Sequence, residues 1–118
     1  MPPVADGGAG GAPTPFLSRS MTIGPYTLHP VETGRFALDG GAMFGVVPKP
    51  LWKKTSPPDE RNRIAMAARA LLLQGNGRRV LIDTGNGSKF DPKLQSIYKM
   101  DTSRHSLLNS LAHLGIAP

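Results

Sequence analysis

Cysteine is absent from the 118 residues, and aromatic residues are few: one tryptophan, two tyrosines and four phenylalanines. The first absence excludes disulfide staples and thiolate metal ligands, and it fits a reducing, cytoplasmic setting. The second means that a core, where it forms, is built mainly from aliphatic side chains. Acidic residues are also scarce, 8 against 14 Lys and Arg, giving a formal charge of +6. Such a charge suits a polyanion only where it is concentrated. Here the basic residues are scattered from Arg19 to Arg104 in singles and short pairs, without interleaved aromatics. A solvated basic surface is expected, with no nucleic acid as partner. No apolar run approaches the ~20 residues that cross a bilayer, so no membrane partner is expected. The first residues lack the charged start and apolar core of a secretory signal.

What is present centres on Arg78-Arg79-Val80-Leu81-Ile82-Asp83-Thr84-Gly85-Asn86-Gly87. Val80, Leu81 and Ile82 read as a buried strand, covered on both faces. Gly85 and Gly87 allow a sharp turn at its end. Asp83 then stands at the lip of a sheet near a crevice, where layered folds often keep a working carboxylate. The other reading is an Asx turn, in which Asp83 caps the amides that follow it. Taken alone, the stretch favours the turn.

Length limits the chain to one domain. Residues 1–20 hold many Gly, Pro and Ala and little large apolar surface, which predicts a disordered tail with Phe16 and Leu17 as local anchors. Order is expected from about Met21. Residues 26–33 are rich in strand formers, but Pro30 withholds a donor and suggests an edge or bulged strand. Gly34 ends it, and 35–38 alternate as a short second strand of a hairpin. Residues 39–52, with three glycines around Met43 and Phe44, predict a shaped loop. That loop either walls a ligand pocket or folds back to plug the core with Met43, Phe44 and Trp52.

Residues 64–74 have helical propensity, yet Gly75-Asn76-Gly77 before another apolar run is a hairpin signal. Two strands, 64–74 and 78–83, are expected at the centre of a sheet. Residues 90–102 read as irregular, anchored by Pro92, Ile97 and Tyr98. Ser103 is the expected cap of an amphipathic helix carrying Leu107, Leu108, Leu111 and Leu114, stopped by Gly115. His105 and His113, about 12 Å apart along such a helix, cannot share a metal. A lone strand histidine such as His29 is given no role.

Neither a dinucleotide fingerprint nor a P-loop fits: the third glycine is replaced by Phe90, and no Gly-x-x-x-x-Gly-Lys string exists. A retroviral-type aspartic protease subunit resembles the chain in length and in its single Asp-Thr-Gly. Paired Asp83 carboxylates would share a proton there, but only 35 residues follow Asp83, with no flap hairpin and no second apolar-Gly loop. A basic nucleic-acid-binding module is a third alternative, motivated by the charge.

More residues fit another resemblance. Gly40-Gly41-Ala42-Met43-Phe44-Gly45-Val46-Val47-Pro48-Lys49, with Leu81-Ile82-Asp83-Thr84-Gly85 and the Leu-rich segment to Pro118, resembles the start of a metallo-β-lactamase-fold hydrolase. It is closest to the lactonase-like and organophosphatase-like branch, over residues 21–118. The resemblance implies an α+β fold: the N-terminal half of an αββα sandwich, a mostly antiparallel sheet with one C-terminal amphipathic helix. It implies attack on a small-molecule lactone, ester, thioester or phosphoester by metal-bound hydroxide, with zinc or another divalent metal. Asp83, Thr84 and Gly85 would support the metal loop, and Met43 and Phe44 would wall the substrate pocket. The family's His-x-His-x-Asp-His ligands do not occur in these residues, so the chain is expected to hold no metal or catalytic residue and to be inactive alone. Half a sandwich is also expected to be marginally stable or to self-associate through exposed core or a sheet edge.

Overall fold

A computed structural model describes residues 19–117. The expected tail lies, over residues 1–18 and including Phe16 and Leu17, outside the described residues. Four strands form one antiparallel sheet in sequence order: β1 (Met21–Ile23), β2 (Tyr26–Asp39), β3 (Arg63–Gly75) and β4 (Arg78–Ile82). Four short helices accompany it: α1 (Gly40–Phe44), α2 (Lys49–Trp52), α3 (Pro92–Ile97) and α4 (Leu107–His113).

The β3–β4 hairpin forms where the sequence predicts it. Asn76 and Gly77 both take positive φ, 51° and 68°, as a two-residue turn matched to strand twist requires. Strand pairing therefore overrides the helical propensity of the Ala- and Leu-rich β3.

β2 differs from expectation. In place of two hairpin strands it runs unbroken through Pro30 and Gly34, and it sits inside the sheet. β1 pairs only with residues 26–28, so at Pro30 that flank of β2 has no β1 partner to miss the proline's donor. At Gly34 the strand bulges instead of stopping. The register with β3 passes from Glu32–Arg69 to Gly34–Ala68, leaving Thr33 as the extra residue.

One sheet face is covered. Val31, Ala70 and Leu72 pack with Leu111 of α4 in a buried cluster, joined by Leu81, Leu107, Leu114 and Ile116. The leucine spacing thus marks a real amphipathic helix, but its cap is Ser106, whose Oγ accepts from Asn109 N, and not Ser103. Ser103 instead donates to Asp101. His105 precedes the helix, so the axial spacing from His113 does not apply.

The other face is exposed toward its β1 and β4 ends. Met21, Leu28, Leu73 and Val80 are rung partners across the four strands and share it. Val80 is 43% and Ile82 52% exposed on β4, the terminal strand of the sheet. The expectation that residues 80–82 are covered on both faces is corrected accordingly.

Two further segments expected to be irregular contain helix. Asp39 ends β2 and caps α1, its Oδ2 accepting from Ala42 N at 2.9 Å. Pro48 and Pro50 help set α2, which buries Trp52 against Gly40. Asp91 caps α3 with Pro92 in the first turn, a favoured start because proline's missing donor is unused there. The sheet thus carries four helices among the described residues, not one.

Candidate functional site

At the end of β4 the chain turns on Asp83. Its φ is 73°, a left-handed value that Asp tolerates because its short side chain can bond locally. Oδ1 accepts from Thr84 N at 2.6 Å and from Gly85 N at 3.0 Å, forming the Asx turn. Asp83 and Thr84 are exposed, and Oδ2 has no partner among the described residues.

The turn is seated on the β2 bulge. Gly85 has φ of 72°, and a β-carbon there would run into the Thr33 side chain. Thr33 is 5% exposed, and its hydroxyl has no hydrogen-bond partner among the described residues. Next to it, Glu32 gathers two guanidinium groups and an imidazole: Arg35 bonds both carboxylate oxygens at 3.1 and 2.9 Å, Arg69 lies at 3.4 Å and His105 Nε2 at 3.5 Å. Ser110 of α4 donates to the Glu32 carbonyl. The bulge thus joins the Asp83 turn on one side to the 105–110 segment on the other.

Beyond Asn86 the chain crosses back to β2. Residues 98–101 run beside that strand as a short partial pairing: Ala37 N donates to Tyr98 O at 2.7 Å, and Arg35 and Asp101 exchange bonds of 2.8 Å. Arg63 donates to the carbonyls of Ser96 and Ile97, at 2.8 and 2.9 Å, and is braced by Asp59 at 2.9 Å. Between strand and crossing lies a cleft of about 300 Å³ lined by Phe36, Leu38, Asn86, Phe90, Tyr98 and Met100. Phe90 and Tyr98 meet edge to face, 6.4 Å between centroids.

Three carboxyls near these elements are held below their ordinary range. For Asp39 the Ala42 amide is the main cause, with the Asn62 amide group next. For Asp59, burial pushes upward but is outweighed by the Arg63 and Arg61 amides and the Arg63 guanidinium. For Asp101 the Ser103 hydroxyl and amide dominate.

The structure brings Asp83, Thr84 and Gly85 together with Thr33, a residue the sequence did not single out. Met43 and Phe44 lie elsewhere, on α1. Phe44 stacks on Trp52 at 5.2 Å and 11°, while Met43 is 46% exposed, and neither lines the cleft. Trp52 is buried against Gly40 and stacked on Phe44, and Met43 takes no part in that stack. The cleft-lining residues were also missed. Their signal was weak: Phe90 and Tyr98 bracket the Asp91-Pro92 helix start. No three His, Asp or Glu side chains stand together as a metal site among the described residues. His105 lies against Glu32, and His113 Nδ1 is 2.7 Å from the Asn109 carbonyl. No described helix is long and apolar enough to cross a membrane.

No protein-family model matches the chain, and no curated protein does. Among solved structures it matches the crystal structure of a probable metal-dependent hydrolase from Staphylococcus aureus, with a TM-score of 0.71 and 37% identity. The match covers 83% of this chain and 35% of that one, so the chain spans about a third of that protein's length. In fold and in sequence, the α+β domain described above is similar to one portion of a probable metal-dependent hydrolase.

Proposed function

We propose that this domain is the supporting part of a metal-dependent hydrolase of the metallo-β-lactamase superfamily. It would contribute the Asp83-Thr84-Gly85 turn and part of a substrate pocket, with Met43 and Phe44 near the substrate side. One observation carries the reading: 37% identity, with a shared fold over 83% of the chain, to a protein described as a probable metal-dependent hydrolase. The described residues do not fit a metal ion, because no cluster of ligating side chains exists among them. In this reading the ion, zinc or another divalent metal, is held by polypeptide outside these residues. When bound, such an ion supplies a hydroxide able to attack an ester, lactone, thioester or phosphoester near neutral pH.

The contribution of this chain is positional. Asp83 spends one carboxylate oxygen on its own turn and leaves Oδ2 open. A fixed acceptor of this kind can orient a neighbouring ligand side chain, as carboxylates behind metal-bound histidines do. Two measurements test the reading. The reading frame after Pro118 is expected to encode His-x-His-x-Asp-His. The purified chain, supplied with zinc or manganese, is expected to show no turnover of aryl esters, lactones or phosphotriesters. Turnover abolished by Asp83→Asn would show that the chain holds its own metal centre, and a frame without the motif would remove the family assignment.

A further inference from the structure

We propose that the cleft between β2 and the 86–100 crossing binds a one- or two-ring aromatic group. Its volume, about 300 Å³, lies at the small end of ligand pockets, which run roughly 300–1,000 Å³. Five of its six lining residues are Phe36, Leu38, Phe90, Tyr98 and Met100, and Asn86 alone carries an amide. The Phe90–Tyr98 pair presents both a ring edge and a ring face, the two surfaces against which a third ring packs favourably. The Met100 thioether adds a polarizable contact that adapts to flat rings.

The walls are built without help from a ligand. Tyr98 is fixed by the Ala37–Tyr98 backbone bond, Met100 lies beside the Arg35–Asp101 exchange, and Arg63 holds the end of α3. Phe90 is tied to that helix by Gln95 Nε2, which donates to its carbonyl at 2.7 Å. A cleft whose backbone is already tied in place binds at a reduced ordering cost. Asn86 is the exposed member of the lining, three residues along the chain from Asp83. A polar substituent on an aromatic group in the cleft has the Asn86 amide as its partner among the lining residues. Combined with the hydrolase reading, on which this last step rests, the substrate class is an ester-like compound with an aromatic acyl or alcohol part.

Binding of 1-naphthol to the full chain tests the cleft without requiring a metal or turnover. With methionine methyls labelled for NMR, the Met100 signal is expected to shift saturably while those of Met21 and Met43 stay in place. Asn86→Trp, which adds bulk at the exposed member of the lining, is expected to weaken binding about tenfold or more. Phe90→Ala is expected to do the same, and it gives a second reading where the first variant folds poorly. Unchanged affinity in both variants, shifts centred on Met21, or no saturable shift at Met100 would overturn the proposal. Failure of the hydrolase reading would instead appear in the turnover assay and leave the Met100 shift intact.

Discussion

Gly85 rests directly on Thr33: the loop that follows β4 has room for a backbone there and for nothing more. Two residues 52 positions apart thereby fix how the Asp83 turn sits on the β2 bulge.

Gly85→Ala meets both a left-handed backbone and the Thr33 side chain. The first costs about 1–2 kcal/mol and the second about 1–3 kcal/mol. Gly87, with φ of 69° and open space around it, carries only the first cost. Urea unfolding is expected to show a larger loss for Gly85→Ala than for Gly87→Ala. Equal losses would mean that Thr33 does not constrain the turn.

Thr33→Val removes a buried hydroxyl that has no partner among the described residues and keeps the side chain's shape. Its removal is expected to leave stability unchanged or raise it by up to about 1 kcal/mol. Thr33→Ser, which keeps the hydroxyl and loses the methyl, is expected to lower it by roughly 1 kcal/mol. A Val variant less stable than the Ser variant would reveal a hydrogen bond at that oxygen.

The carboxyl of Asp39 is lowered by the Ala42 amide and by Asn62. A folded-state pKa below the unfolded value, about 3.9 for Asp, gives stability that is complete above that value. It is lost as pH falls through the folded pKa. Asp59 and Asp101 act in the same direction. Asp39→Asn, which retains a good helix cap, is expected to flatten the fall in thermal midpoint below about pH 4. An unchanged acid slope would assign it to other groups.

Val80 and Ile82 lie exposed on a terminal strand, on the face that also carries Met21 and Leu28. An uncovered apolar face beside an open edge favours pairing between chains. Sedimentation velocity is expected to show concentration-dependent association, reduced in the Val80→Lys and Ile82→Lys variants. A wild-type chain that stays monomeric at high concentration would show that the face is tolerated as it stands.

Local signals in the sequence were legible where they were dense. Asn76-Gly77 between two apolar runs placed the hairpin, the leucines from Leu107 to Leu114 placed α4, and Asp83 before Thr84-Gly85 gave the Asx turn. α1, α2 and α3 escaped because helices of five, four and six residues are too short to display a period. Their caps, Asp39 and Asp91-Pro92, were readable but competed with strong loop signals. β2 was divided at Gly34 because a bulge and a strand end share the same glycine signature. The cleft had no local signature, since Phe36 and Met100 meet only once the chain has crossed the sheet.

The side chains of Asp39 and Asn62 meet at 3.1 Å, and Gly40 N donates to Asn62 O at 2.7 Å. These bonds tie off the excursion between β2 and β3 at its root, like a drawstring. A few residues inserted at the exposed Val46, away from the buried Trp52, are expected to leave the strand register unchanged, because the entropy of closing a loop grows only with the logarithm of its length.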